Sequence, residues 1–122
     1  MLMRFLLLSS ITLYGADEMG SLLFHGNCTT CHFETQEVSA PAMSEVKKRY
    51  KSAFPEKKEF IKQLTTWVHK PSTTNSIMQD AIQKHGLMPE LAYDKTVLND
   101  IAAYIYDTNF TKSRSVTYKN FH

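Results

Sequence analysis

The sequence predicts a single all-α domain, and three observations lead to this prediction. Near the C-terminus, apolar side chains recur at helical spacing, at Val97, Leu98, Ile101, Ala102, Tyr104 and Ile105. A second apolar stripe of the same period lies in residues 56–70, and no segment shows the alternation of a half-buried strand. The 122 residues include few glycines and prolines, so the chain suits one ordered domain.

The first two predicted helices cover residues 17–27 and 43–50. Asp17 can cap the first of them through its carboxylate. Gly20 lies inside this helix, where glycine costs about 1 kcal/mol relative to alanine, so we expect another helix to approach closely there. Residues 33–40, between the two helices, have the composition of a loop.

The other predicted helices cover residues 56–70, 77–84 and 94–107. Pro71 ends the first of these, because a proline disfavours helical geometry in the residue before it. Trp67 lies on the apolar face of the same helix and is expected in the core. Ser76 is expected to cap the next helix, and Gly86 to end it.

Residues 1–16 have the features of a secretory signal peptide. Arg4 precedes a short, mostly apolar run, and Gly15 and Ala16 offer a cleavage region. The run is short for a membrane span. A buried first helix and an uncleaved anchor are the alternatives.

The domain proper is expected at residues 17–107, followed by a polar tail at 108–122 that either frays or docks a partner. The formal net charge of +2 gives no indication of nucleic-acid binding. Positive charge is concentrated in one stretch, at Lys47, Lys48, Arg49, Lys51, Lys57, Lys58 and Lys62. This basic stretch is either a solvated helical face or a docking patch for an acidic partner protein.

A single pentapeptide, C-x-x-C-H, carries the chemistry of the chain. It contains both cysteines, Cys28 and Cys31, followed at once by His32. This is the attachment signature of c-type haem, in which each thiol adds to a vinyl group of the cofactor. The two cysteines are one helical turn apart, so both sulfurs can face the macrocycle. His32 can then coordinate the iron as the proximal ligand.

Three other uses of the cysteine pair are weaker. A disulfide between Cys28 and Cys31 would close a tight, strained loop and constrain little of the chain. A thioredoxin-like redox pair needs a βαβ context, for which the sequence has no strand signal. A structural zinc site would need a second pair of ligands, and the remaining histidines show no such spacing.

Four residues outside the pentapeptide extend the comparison to a known family. Gly20 and Phe24 lie eight and four residues before Cys28. Ile101 and Tyr104 give an apolar-x-x-Tyr pattern in the last predicted helix. In these features the chain resembles the small bacterial monohaem class I cytochromes c, over nearly the whole predicted domain. The resemblance implies the cytochrome c fold, in which four to five helices wrap around one covalently attached haem.

The same resemblance implies a role for Pro41. In this family the carbonyl of a proline at this distance accepts a hydrogen bond from the proximal histidine, which here is His32. Such a bond fixes the tautomer of the ring and makes the other nitrogen a better ligand. The simpler alternative is that Pro41 is a turn residue before the next helix.

Met88 is the favoured sixth ligand of the iron. It lies in a predicted loop directly before Pro89, and this Met-Pro pair resembles the distal ligand motif of the family. Met78 is the alternative, although its predicted place within a helix suggests core packing. Met19 and Met43 are expected too close to the attachment site or on the proximal side.

These features together predict a periplasmic single-electron carrier, not an enzyme in its own right. It would hold one haem c with His32 and Met88 as axial ligands and shuttle electrons between respiratory complexes. Redox partner proteins are expected, through the basic stretch if it is a docking patch, and stable membrane insertion is not. The alternatives are a haem-based sensor of gases or small ligands with a labile sixth ligand, and an electron-transfer subunit of a larger oxidoreductase.

Overall fold

The computed structural model describes residues 16–111, and within them the chain is all-helical with no strand. Its five helices are α1 (Ala16–Asn27), α2 (Met43–Ala53), α3 (Lys57–His69), α4 (Gln79–His85) and α5 (Lys95–Asp107). The all-α prediction is therefore confirmed. The predicted signal peptide lies outside the described residues up to position 15, as does the predicted tail from position 112 onward. None of these helices combines the length and hydrophobicity that a membrane span requires.

Helices α1 and α5 cross in close contact at Gly20. A Cβ atom added to Gly20 would lie 2.5 Å from the carbonyl oxygen of Asp100 and 2.9 Å from Cβ of Tyr104. One turn later, Phe24 is completely buried, and its ring lies 5.3 Å from that of Tyr104. Only a glycine lets the two backbones come this close. The structure confirms the predicted packing of the first helix against the last.

Helix α3 also packs on α5, through Phe60, which is completely buried. The ring of Phe60 makes an edge contact with Tyr106 at 5.1 Å and another with Tyr50 of α2 at 6.2 Å. Burial of Tyr50 raises its pKa to about 12. These aromatic contacts join α2, α3 and α5 into one core.

The predicted start of α5 and the predicted glycine end of α4 agree with the structure, but two other predicted ends are wrong. Helix α1 already includes Ala16, so Asp17 lies inside it and is not its cap, and α2 continues to Ala53, three residues past its predicted end. Asp94 caps α5 by accepting a hydrogen bond from the Thr96 N–H at 2.7 Å. Gly86 ends α4 with a φ of +82°, a conformation that favours glycine. Helix α4, however, begins at Gln79, because the hydroxyl of Ser76 accepts from the Met78 N–H at 3.0 Å and holds a turn there. Met78 thus precedes α4 and is not inside it.

The packed part of the chain continues beyond Asp107, where the sequence suggested a polar tail. Thr108 is buried and its backbone carbonyl accepts a hydrogen bond from Lys47 of α2. Phe110 is 3% exposed, and its ring lies 5.5 Å from that of Phe24. Phe110 lies in a polar segment without helical periodicity, so this contact could not be predicted from the sequence.

Candidate functional site

All five helices contribute to a cavity of about 230 Å³ with a mostly apolar lining. Every candidate site residue lines it: Cys28, Cys31, His32, Pro41 and Met88. These residues come from the turn after α1, from the loop before α2 and from the loop after α4. The structure therefore brings together side chains that lie up to 60 positions apart in the sequence.

The cysteine pair lies in a turn that continues α1. The Cys28 N–H donates to the Phe24 carbonyl at 2.8 Å, and the His32 N–H donates to the Cys28 carbonyl at 2.9 Å. Cys28 is half-buried, Cys31 is exposed, and both are free thiols. One helical turn thus presents the two sulfurs and the imidazole along the same stretch of the cavity wall.

Burial and the C-terminus of α1 both favour the neutral thiol form of Cys28. Burial raises the pKa of this thiol to about 11. The pair also follows the C-terminus of α1, where the helix dipole disfavours a negative charge. Nucleophilic redox cysteines need the opposite setting, such as a helix N-terminus that stabilises the thiolate. The surroundings of Cys28 therefore argue against a thioredoxin-like dithiol.

His32 is held in the tautomer that a metal ligand requires. Its Nδ1 lies 2.8 Å from the carbonyl oxygen of Pro41. Because a carbonyl oxygen can only accept, Nδ1 carries the proton and Nε2 keeps its lone pair. Burial lowers the pKa of His32, and the bond to Pro41 opposes this shift without cancelling it. The ring is therefore neutral at neutral pH and ready to coordinate through Nε2.

The loop before α2 places Pro41 against this ring. The Met43 N–H donates to the Phe33 carbonyl at 2.8 Å, and the Ser44 N–H donates to the Glu34 carbonyl at 2.9 Å. These two bonds close the loop on itself directly after the cysteine-histidine turn. Pro41 is thus more than a simple turn residue, because its carbonyl also fixes the orientation of His32.

Three of the four methionines that follow residue 16 line the cavity. Met19 is 52% exposed and is not among the lining residues. Met43 and Met78 belong to the buried core, at 4% and 7% exposure. Met88 lines the cavity from the loop after Gly86, is half-buried, and does not belong to that core cluster. Of the three methionines that line the cavity, Met88 is therefore the one that lies outside the packed core.

Trp67 is half-buried and lines the cavity, so it is less enclosed than the predicted core position. Its indole N–H donates to the Ser72 carbonyl at 3.1 Å. This bond ties the end of α3 to the following loop. The ring of Trp67 thus contributes apolar surface to the cavity, and its only donor is used within the protein.

The basic stretch is not a uniform cationic face. Arg49 forms a bidentate ion pair with Asp80, with N···O distances of 3.0 and 2.9 Å, and Lys57 forms an ion pair with Asp107 at 2.7 Å. Lys51 lies 4.7 Å above the ring of Tyr106. Three further lysines of the stretch are exposed: Lys48, Lys58 and Lys62. Much of this positive charge therefore joins helices to one another.

Two hydrogen bonds at the edge of the cavity were not expected from the sequence. Glu37 accepts from His85, and the Tyr93 hydroxyl donates to Asn27. The partners are 48 and 66 residues apart, and each bond joins the last residue of a helix to a polar residue in a loop, which carries no periodic signal. The one available indication was that His85 shares a helical face with Ala81 and Ile82, which also line the cavity.

The described part of the chain contains no group of three or more histidine, cysteine, aspartate or glutamate side chains placed to hold a metal ion. Comparison of the whole chain with protein-family models, with curated proteins and with solved structures finds no match.

Proposed function

We propose that this protein is a single-electron carrier with one haem c attached through Cys28 and Cys31. His32 and Met88 would be its axial ligands. The observation that carries the proposal is the lining of one cavity, which contains both thiols, a histidine held in the coordinating tautomer and a methionine outside the packed core. These are the protein groups that a six-coordinate c-type haem needs.

The helical packing supports the same proposal. The crossing of α1 and α5 at Gly20 is the feature expected of the cytochrome c fold. It fixes the end of α1, and therefore the cysteine-histidine turn, relative to α5. The apolar lining of the cavity suits a large flat cofactor, whose burial would add to a core that is modest for a chain of this size.

The residues of the site fit that cofactor chemically. When bound, haem supplies exchange of one electron between ferric and ferrous iron. Pro41 orients His32 and increases the basicity of its free nitrogen. A thioether from Met88 would favour the ferrous state, and the apolar walls would exclude water, which acts in the same direction. No paired acid and base is needed for this function.

The site of action that we propose is the periplasm, with acidic redox proteins as partners. The proposal rests on the signal-like residues 1–16 and on the chemistry of haem attachment. Three exposed lysines remain to steer an acidic partner: Lys48, Lys58 and Lys62. We expect the association to weaken as the ionic strength rises.

A redox titration followed by visible spectroscopy tests this function. Protein made in a host that attaches c-type haem is expected to show one reversible one-electron couple. Its ferrous form should not bind carbon monoxide readily, because Met88 fills the sixth position. Ready binding of carbon monoxide by the wild type would instead favour a ligand sensor. A haem that mild donors cannot reduce would contradict the electron-carrier function.

A further inference from the structure

The loop after α4 is joined at its start to the proximal side of the cavity. Oε1 of Glu37, in the loop before α2, accepts from Nε2 of His85 at 2.6 Å and lies 3.1 Å from Nζ of Lys84. The hydrogen bonds from these two residues lower the pKa of Glu37, so it is a carboxylate at neutral pH. The side chain of His85 is 10% exposed and lines the cavity. We call the Glu37–His85 contact the first clasp.

The same loop is joined at its other end to α1. The amide nitrogen of Asn27 donates to the Leu23 carbonyl at 2.7 Å, which leaves the amide oxygen facing the other way. The hydroxyl of Tyr93 donates to that oxygen. Asn27 and Tyr93 both line the cavity, and Asn27 directly precedes Cys28. We call the Tyr93–Asn27 contact the second clasp.

The segment between the clasps, residues 86–92, has little support of its own. We call it the Met88 strap. The Gly86 N–H still belongs to the end of α4, where it donates to the Ile82 carbonyl at 2.9 Å. Beyond Gly86, the Tyr93 N–H donates a hydrogen bond to the Leu91 carbonyl at 2.7 Å. The position of Met88 therefore depends on how the two ends of the strap are held.

We infer that the two clasps position Met88 as the distal ligand, an inference that rests on the proposed function. Each clasp joins a residue at one end of the strap to an element next to His32. The second clasp joins Tyr93 to the residue before Cys28, and the first joins His85 to the loop that carries Pro41. The clasps thus link the distal strap directly to the proximal side of the cavity. Their role is to hold the Met88 sulfur close to the iron and to slow its release.

Carbon monoxide binding to the haem-loaded, reduced protein tests this inference. At saturating carbon monoxide, the rate of binding is set by release of the distal ligand. Tyr93→Phe removes the second clasp by deleting one hydroxyl group, and we expect it to raise this rate about fivefold, as loss of one hydrogen bond predicts. Tyr106→Phe is the matched control, because its hydroxyl donates to the Pro55 carbonyl at 2.8 Å away from the cavity lining. The control should bind carbon monoxide at the wild-type rate.

The first clasp provides an independent test through an exposed residue whose replacement leaves the core intact. Glu37→Ala removes the acceptor and should also raise the rate about fivefold. Glu37→Gln keeps an oxygen that can accept from His85, so it should restore a rate near that of the wild type. A role limited to general stability would not produce this rescue in the rate of ligand release.

Two results would overturn the inference, and they can be told apart. If the wild type carries covalent haem but Tyr93→Phe and Glu37→Ala bind carbon monoxide no faster than Tyr106→Phe, the clasps do not position Met88 and the proposed function stands. If the wild type carries no covalent haem, the proposed function itself fails, and the inference fails with it. Faster binding in both variants, with rescue by Glu37→Gln, supports the inference.

Discussion

Gly20→Ala is expected to lower the free energy of unfolding by about 3 kcal/mol, the upper end of the usual cost of overpacking a core. The added Cβ would lie 2.5 Å from the carbonyl oxygen of Asp100, which is backbone and cannot rotate away. Helices α1 and α5 would have to separate, and the turn that carries Cys28 would move with α1. Denaturant unfolding of the wild-type and variant proteins measures the loss.

Gly26→Ala is the matched control in the same helix. A Cβ at Gly26 would meet no other atom within 4 Å, so the substitution adds no clash. Alanine should then stabilise α1 by about 0.5–1 kcal/mol, the usual gain over glycine in a helix. If both variants lost the same amount of stability, the close crossing at Gly20 would not be the cause.

Met88→Ala is expected to change the haem site far more than the fold. Loss of the thioether should open the sixth position, so the reduced protein should bind carbon monoxide at once and its midpoint potential should fall. Met78→Ala should have the opposite effects. It removes a side chain that is 7% exposed, so the free energy of unfolding should fall by about 2–5 kcal/mol. The axial ligation of the iron should stay unchanged. Visible spectra and unfolding curves of both variants measure these effects.

The reverse pattern would identify a different ligand. If Met78→Ala opened the sixth position and Met88→Ala did not, the buried methionine before α4 would be the distal ligand. The Met88 strap would then need another explanation. The two variants therefore decide between the alternatives that the sequence left open.

Much of this fold could be predicted because its signals are local and periodic. The apolar stripe of α5 predicted that helix almost to the residue. Gly20 within a helix predicted a close crossing, because glycine there carries a cost that only such packing explains. The candidate site was predictable for the same reason: the C-x-x-C-H spacing is a single local motif.

The rest depends on contacts between distant residues of ordinary type. Ser76 can cap a helix or hold a turn, and only the tertiary position of Met78 decides that it holds a turn. Phe110 reaches back to Phe24 from a polar segment without periodicity. The Tyr93–Asn27 and Glu37–His85 clasps each join a loop to the end of a helix, and no sequence pattern relates the two partners. Such pairs become visible only when the helices are packed.

The intact mass of denatured protein, made in a host that attaches c-type haem, shows directly whether haem is attached covalently through Cys28 and Cys31. We expect the polypeptide to carry the mass of one haem after denaturation, and the variant with both Cys28→Ser and Cys31→Ser to carry none. The absorption spectrum of the denatured wild type should show that the same species contains iron porphyrin. A wild-type mass equal to that of the bare polypeptide, with both thiols free, would rule out a covalently attached haem c.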